Sequence, residues 1–253
     1  HRVVEPGTQT EAVLLQNEGA LLAGKGAPYR DRVLDNYRRA REIYQALDDQ
    51  SGLVGILINE GNLYENEPRK ARAYYEQAQA KAESLQDPIL LGTCAMNRGR
   101  TYRQQGDLEQ AQELYQQSRT YFEEAADQVA VAEVTVNLAV VEMERGRREL
   151  ARQHLQSSEA YLRAMDPVDE KAFARKVAQI RTFQARCWAE THAAEQLYEE
   201  ALALYEEHPD PLKEAETQLN FGAHLLRVGR REEALNLIER AREILEAYRG
   251  GDP

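Results

Sequence analysis

The sequence predicts an all-α protein, a solenoid of about six stacked helix-turn-helix repeats. Small and large residues recur at fixed offsets, glycines stand at the turns between helices, and no long apolar run interrupts a chain of 42% hydrophobic and 30% charged residues. Neighbouring repeats share a core that one helix pair cannot bury alone. We expect a single domain over residues 1–253, with repeats at about 10–49, 50–87, 88–127, 128–166, 167–209 and 210–248.

The first two repeats keep the pattern but change the length of the turn. Gly19 is the small reference residue of the first repeat, and its linker, which contains Gly26 and Pro28, is lengthened. Gly61 is the reference residue of the second repeat, where the turn is shorter and Pro68 stands at the expected start of the second helix. Proline suits the first position of a helix.

The third repeat carries the complete pattern after its reference residue, Gly99. A large residue follows three positions later, a turn glycine seven, an alanine twelve, a large residue sixteen, and a small residue nineteen positions later. These residues are Tyr102, Gly106, Ala111, Tyr115 and Ser118. The same offsets hold from Ala139 in the fourth repeat and from Gly222 in the sixth. Small residues let two helices approach, and the large residue fills the space beside them.

The fifth repeat is the irregular one. Its reference residue is Ala185, its turn, which contains His192, is shortened, and Trp188 takes the large-residue position, where we expect it to pack in the core. A local bend or pocket near Phe183 is a hypothesis for this repeat. The pairs Asp87-Pro88, Asp166-Pro167 and Asp210-Pro211 mark joins between repeats, because the residue before a proline disfavours the helical conformation.

The last helix, at about 231–248, carries large apolar residues at helical spacing, and no capping helix follows it. These residues are Leu235, Ile238, Ile244 and Leu245. Terminal repeats need a polar cap, so we expect a second copy, a partner or further chain to cover this helix.

The pattern resembles the tetratricopeptide repeat family from about Thr10 to Tyr248. Reference residues lie 37 to 46 positions apart, which is similar to the longer-repeat members, such as the Leu-Gly-Asn repeat scaffolds, the kinesin light chain and bacterial peptide- or sugar-sensing regulators. The resemblance implies a right-handed α-α superhelix whose first helices line a concave groove. It also implies that the partner is a protein or an extended peptide.

Asparagine stands two positions before the reference residue in five of the six repeats. This asparagine series comprises Asn17, Asn59, Asn97, Asn137 and Asn220. Asparagine is a mediocre helix former, so its recurrence needs a cause. A carboxamide can both donate and accept hydrogen bonds, so the series could hold the main chain of an extended peptide. Alternatively, each asparagine bonds a neighbouring helix and sets the packing of the repeats.

Charged residues flank the asparagine series on the same helix faces and are further candidates for the groove. They are Arg100, Arg103, Glu133, Arg186 and Arg227. Their mixed charge indicates neither an acidic nor a basic ligand. Arg100 and Arg103 could clamp a carboxylate together with Asn97, although the lysines that the resemblance implies for such a clamp are absent.

Composition argues against several other partners. A net charge of −11 disfavours nucleic acid. Arg145, Arg147, Arg148 and Arg152 form one basic cluster, but glutamates are interleaved, so we interpret it as a solvated face. No apolar run is long enough to insert into a membrane. Both cysteines, Cys94 and Cys187, have the surroundings of buried structural thiols.

Nothing in the sequence indicates catalysis, and we expect no catalytic residue, metal or cofactor. Gly24-Lys25-Gly26 lacks the spacing of a phosphate-binding loop, and the histidines lack metal-ligand spacing. The function that the sequence favours is a non-catalytic adaptor or scaffold that binds protein or peptide. Two alternatives stay open: a ligand-sensing regulatory domain of a larger bacterial signalling or transcription protein, and a scaffold that self-associates through its last helix. We expect a soluble protein, either cytoplasmic or periplasmic.

Overall fold

The computed structural model describes residues 5–164, 169–188 and 192–250, and these ranges contain twelve α-helices, one short 3₁₀ helix and no strand. The predicted all-α fold of helix-turn-helix repeats is confirmed. The α-helices are α1 Gln9–Gly24, α2 Arg30–Ala46, α3 Gln50–Asn62, α4 Pro68–Leu85, α5 Pro88–Gln104, α6 Leu108–Glu124, α7 Gln128–Glu144, α8 Arg148–Arg163, α9 Glu170–Cys187, α10 His192–Glu207, α11 Pro211–Arg227 and α12 Arg231–Gly250. The 3₁₀ helix, Ala27–Tyr29, lies in the lengthened first linker.

Each odd-numbered helix packs most extensively on the even-numbered helix that follows it. Contacts group the chain into two compact units, His1–Asp127 with α1 to α6 and Gln128–Pro253 with α7 to α12. The assignment of residues 1–253 to one domain stays a prediction.

The ends of the helices follow the turn chemistry of the sequence. Gly106, Gly146 and Gly229 have φ values of 81°, 76° and 87°, in the left-handed region that glycine adopts without strain. Helix α4 begins at Pro68, as predicted. The predicted turns in these repeats are therefore confirmed.

The Asp-Pro pairs act on the helix that follows them rather than on the one that precedes them. The Asp87 carboxylate accepts hydrogen bonds from the backbone N–H groups of Ile89 and Leu90, at 2.9 and 3.1 Å, and caps α5. Asp210 caps α11 in the same way, through the N–H of Lys213 at 3.2 Å. In both pairs the proline is the first residue of the helix, where it lacks an N–H that would have no partner. The third pair, Asp166-Pro167, lies outside the described residues.

The glycine reference residues are small because an aromatic ring of the second helix occupies the adjoining space. A Cβ atom built on Gly61 would lie 2.4 Å from Cε1 of Tyr75, and one built on Gly99 would lie 2.8 Å from Cε1 of Tyr115. Both tyrosines are buried. This packing confirms the predicted pairing of a small reference residue with a large residue on the second helix.

Buried serines add a hydrogen bond between the two helices of a repeat. Ser118 Oγ donates to the carbonyl of Gly92 at 2.8 Å, and Ser158 Oγ donates to the carbonyl of Ala132 at 2.7 Å. Each carbonyl lies seven positions before the reference residue of its repeat. The small residue at the last position of the pattern thus tethers the second helix to the first.

The prediction that Trp188 packs in the core is wrong. Helix α9 ends at Cys187, so Trp188 lies beyond the last helical residue and its side chain is 40% exposed. The guanidinium of Arg152 lies 4.6 Å from its ring. Residues 189–191, which include most of the turn expected around His192, lie outside the described residues.

Two further sequence predictions concern buried and exposed apolar groups. Cys94 and Cys187 are buried free thiols, as predicted. On α12, Leu235 is 60% exposed, whereas Ile238, Ile244 and Leu245 are partly buried. That another chain or segment covers this helix stays a prediction.

No helix among the described residues is both long and apolar enough to cross a membrane.

Candidate functional site

The first unit contains an open cleft of about 480 Å³ between helix α1, the first linker and helices α2, α3 and α5. We term it the amide cleft after its three asparagines, Asn59, Asn62 and Asn66, which share the wall with Arg100. Its other polar lining residues are Arg30, Tyr37 and Glu65. Asn59 and Arg100 are predicted groove residues. The structure therefore brings together candidates from the second and third repeats within this unit.

Asn59 is the member of the asparagine series that is best placed for a ligand. Its side chain is half-buried on α3, lines the cleft, and makes no hydrogen bond to any described residue. Nearby, the Asn62 carboxamide oxygen accepts a hydrogen bond of 2.7 Å from the Tyr75 hydroxyl. Asn62 keeps its amide N–H₂ group for further bonds, so the two asparagines can offer donors and acceptors side by side.

Asn97 is bonded within its own helix. Its side chain is buried, and its carboxamide oxygen accepts a hydrogen bond of 2.8 Å from Nη2 of Arg100. This bond holds the Arg100 side chain at the cleft wall. Arg103 is half-buried in the last turn of α5 and is absent from the residues that line the cleft.

Asn17, the first member of the series, stands apart from these residues. It is exposed on α1, and it does not line the amide cleft. The series therefore divides within the first unit: Asn59 faces the cleft, Asn97 supports a cleft residue, and Asn17 does neither.

The second unit contains a smaller pocket of about 230 Å³ that gathers three arginines from three helices. We term it the arginine pocket and define it by Arg148 of α8, Arg186 of α9, Arg227 of α11 and Asn220 of α11. Its remaining lining residues are Met143, Tyr198 and Ala223, so no carboxylate lies on its wall. Asn220, Arg186 and Arg227 are predicted groove residues.

Two other candidates of the second unit lie away from this pocket. Asn137 is half-buried on α7 and makes no hydrogen bond to any described residue through its side chain. Glu133 is exposed and pairs with Nζ of Lys176 at 3.1 Å.

Within the arginine pocket, two of the predicted groove residues contact other side chains or the backbone. The Asn220 amide group donates to the carbonyl of Glu216 at 2.8 Å, and the Arg186 guanidinium lies 5.3 Å from the ring centre of Phe183.

Arg148, which the sequence analysis assigned to a solvated face, is exposed and also lines the arginine pocket. Three members of its basic cluster have carboxylate partners, as a solvated face would: Arg145 and Arg147 pair with Glu142, and Arg152 pairs with Glu149. Arg148 has no such partner among the described residues. Arg148 is the first residue of its helix, where the positive end of the helix dipole disfavours a cation. This unusual placement could have been noticed in the sequence.

Metal ligation has no support in the part of the chain that the structure describes, where no three His, Cys, Asp or Glu side chains come together as a metal site. Burial raises the pKa of the Cys94 thiol to about 12 and that of the Cys187 thiol to about 11. Both thiols are therefore protonated at neutral pH and poor nucleophiles.

A family model described as tetratricopeptide repeat matches residues 92–164, which span the third and fourth helix pairs. This match covers less than a third of the chain, and the helix-turn-helix geometry of the described pairs is of the same repeat type. No curated protein matches the chain.

Solved structures of similar fold cover nearly the whole chain. The crystal structure of BtubC (BKLC) from P. vanneervenii has a TM-score of 0.64 at 21% identity and covers 94% of each chain. NprR in complex with its cognate peptide NprX has a TM-score of 0.67 at 13% identity, over 98% of this chain and 72% of that one. Aspartyl phosphate phosphatase F from Bacillus subtilis has a TM-score of 0.74 at 14% identity, over 99% of this chain and 63% of that one. At these identities the likeness shows the fold.

Proposed function

We propose that this protein binds another protein or an extended peptide without catalysis, and that the first helices of its repeats supply the contacts. The observation that supports this most is Asn59, a half-buried carboxamide on the wall of an open cleft with no hydrogen-bond partner among the described residues. The donors and acceptors of a carboxamide in that position need hydrogen bonds from either water or a ligand.

The chemistry of the amide cleft suits a peptide main chain. Carboxamides donate and accept, so Asn59 and Asn62 can pair with the N–H and C=O groups of one extended residue. A volume of about 480 Å³ falls in the range of small-ligand clefts, which is room for a few residues. Arg100, held by Asn97, adds one fixed cation beside the amides.

The comparisons support the proposal at the level of the fold. NprR was solved with its cognate peptide NprX, so a helical array of this type can hold a peptide. Of the other predicted groove residues, we propose that Asn220, Arg186 and Arg227 contact a ligand in the second unit and that Asn137 does so from α7. We propose no ligand contact for Asn97, because its carboxamide oxygen already bonds Arg100.

A selection experiment tests the proposal and does not require the natural ligand. Purified protein is used to select from a phage library of random dodecapeptides, and the enriched sequences are synthesised with a fluorescent label. Binding is then measured by fluorescence polarisation for wild type and Asn59→Ala. Each lost hydrogen bond to a ligand is worth about 1 kcal/mol, so we expect affinity to fall about fivefold.

The matched control is Gln117→Ala, which removes an exposed amide from α6, a second helix of the same unit. We expect it to bind as wild type does. Two results would oppose the proposal: failure of the wild-type protein to enrich any peptide, or equal affinity of Asn59→Ala and Gln117→Ala for every selected peptide. Circular dichroism spectra of both variants must match that of wild type.

A further inference from the structure

A further cavity, of about 450 Å³, lies in the second unit between α10, the turn after it, α11 and α12. We term it the glutamate cavity, because three carboxylates line it, those of Glu206, Glu214 and Glu243. Most of its lining belongs to α10 and α12, the second helices of their repeats, whereas every predicted groove residue of this unit lies on a first helix. The cavity is separate from the arginine pocket, with which it shares no residue.

Gln218 of α11 lines this cavity with a buried acceptor that has no partner. The residue is 6% exposed, and its Nε2 group donates to the Glu214 carboxylate at 3.3 Å. This bond sets the orientation of the carboxamide, because the reverse orientation would place the amide oxygen against a carboxylate. Oε1 makes no hydrogen bond to any described residue. Buried polar atoms are rarely left in this state, so Oε1 calls for a donor from outside the chain.

Tyr205 of α10 brings a second buried oxygen to the same cavity. The residue is 1% exposed, and its hydroxyl makes no hydrogen bond to a described residue. Its polar neighbour Thr217 already bonds the carbonyl of Lys213 at 2.8 Å and the hydroxyl of Thr182 at 2.9 Å. The oxygens of Tyr205 and Gln218 come from different helices, so a ligand with several N–H donors can bond both.

The charges and the apolar walls of the cavity define the kind of donor that it suits. Three carboxylates against one guanidinium, that of Arg240, give the lining a net negative charge. Burial raises the pKa of the Glu214 carboxyl, and the charge of Glu206 raises it further, so a bound cation would stabilise the ionised carboxylate. The apolar side chains on the wall are Leu202, Leu237 and Ile244. They suit an alkyl stem rather than a hydrated ion.

A metal ion is a poorer match for the cavity than an organic cation. Among the residues that the structure describes, no three His, Cys, Asp or Glu side chains come together as a metal site, so the three glutamates do not converge on one point. An ammonium group has three N–H donors and no acceptor, which matches two neutral oxygens among carboxylates. The volume of the cavity lies in the range of ligand pockets, roughly 300–1,000 Å³.

We propose that the glutamate cavity binds a primary ammonium group on an apolar stem, either a free alkyl amine or a lysine side chain of another protein. The stem lies along the apolar wall, and the ammonium group donates to the oxygens of Gln218 and Tyr205. Both oxygens are shielded from solvent, so binding requires the Gln218 side chain to turn toward the cavity. The carboxylates supply the opposite charge.

Titration of the protein with n-pentylamine tests the proposal, with n-pentanol as the uncharged counterpart of the same length. Two-dimensional NMR of isotope-labelled protein follows the backbone amide signals of α11 and gives the dissociation constants. We expect saturable binding of the amine and an affinity at least about tenfold weaker for the alcohol, because only the amine forms charge-assisted hydrogen bonds. Nα-acetyl-lysine methylamide, titrated in the same way, presents a lysine side chain.

Variants assign the binding to the cavity. Tyr205→Phe and Gln218→Met each remove one oxygen that has no partner, so we expect both to fold as wild type does, by circular dichroism and urea unfolding, and to bind n-pentylamine about tenfold more weakly. Glu243→Gln removes an exposed carboxylate and should weaken binding about threefold. The matched control, Glu232→Gln, makes the same charge change on α12 outside the cavity and should bind as wild type does.

The outcomes also identify the source of the ammonium group. Binding of the lysine derivative at least as tight as that of n-pentylamine assigns the cavity to a lysine side chain, and weaker binding assigns it to a free amine. The ammonium site is wrong if n-pentylamine does not bind or binds no more tightly than n-pentanol, or if neither Tyr205→Phe nor Gln218→Met weakens binding. It is also wrong if Glu232→Gln weakens binding as much as Glu243→Gln. No peptide enters these titrations, so they leave the proposed peptide binding untouched.

Discussion

Replacement of Gly61 by alanine tests the packing rule that defines each repeat. A Cβ atom at this position would lie 2.4 Å from Cε1, 2.8 Å from Cδ1 and 2.9 Å from Cζ of Tyr75. Ordinary contacts begin at 3.4 Å, so the ring must move by about 1 Å. It has little room to do so, because Tyr75 is buried and its hydroxyl is bonded to Asn62.

The magnitude follows from two opposing effects. Alanine is a better helix former than glycine by about 1 kcal/mol, while overpacking a rigid core costs about 1–3 kcal/mol. The contact with Tyr75 is severe, so the upper end of that range applies and we expect a net loss of about 2 kcal/mol. At Gly222 the nearest atoms are Cγ1 of Ile238 at 3.1 Å and the backbone oxygen of Ala234 at 3.3 Å. These contacts need shifts of only a few tenths of an ångström, so Gly222→Ala should lose less than about 1 kcal/mol.

Urea unfolding followed by circular dichroism at 222 nm measures these changes. The control is Gly24→Ala, at the end of α1, where a Cβ would meet nothing within 4 Å and where we expect a gain of up to about 1 kcal/mol. The packing rule is refuted if Gly61→Ala is as stable as wild type, or if the order Gly61, Gly222, Gly24 is not found.

Three further predictions concern buried polar groups. Ser158→Ala should lose about 1 kcal/mol of unfolding free energy, because it removes the bond to the carbonyl of Ala132, whereas the exposed Ser157→Ala should lose less; equal urea midpoints would contradict this. Burial raises the pKa of Tyr75 from 10.0 to about 12, so the folded chain keeps a proton that the unfolded chain loses; stability should fall as the pH rises above 10, and a constant urea midpoint from pH 8 to 11 would oppose this. Cys94 and Cys187 should react with a thiol reagent only after unfolding, and rapid reaction of the folded protein would show that they are accessible.

The repeat pattern was predictable from the sequence because its rules are local. A glycine that ends a helix needs a positive φ, and a small residue opposite a large one follows from the distance between two packed helices. Gly106 and the pair Gly61 with Tyr75 are examples. Trp188 was misplaced because the pattern presumes that the first helix continues past its reference residue as far as α5 does, to the fifth residue after Gly99, whereas α9 ends two residues after Ala185.

The candidate site was less predictable, because spacing does not determine which partner a polar group chooses. Asn97 and Arg100 are three residues apart, which places them on one helix face, but the sequence analysis considered only a ligand contact or a bond to a neighbouring helix, and not a bond between these two side chains. The structure contains the mutual bond. Arg147 pairs with Glu142, whereas its neighbour Arg148 pairs with no carboxylate of the described residues, and neighbouring positions in the sequence did not distinguish the two.

The most direct test of peptide binding in the amide cleft is a calorimetric titration of one selected dodecapeptide into wild type and into the variant Asn59→Ala. We expect saturable binding with one peptide per chain and an affinity about fivefold weaker in the variant, while Gln117→Ala binds as wild type does. Equal affinity of all three proteins for the peptide would contradict the assignment of the amide cleft as the binding site.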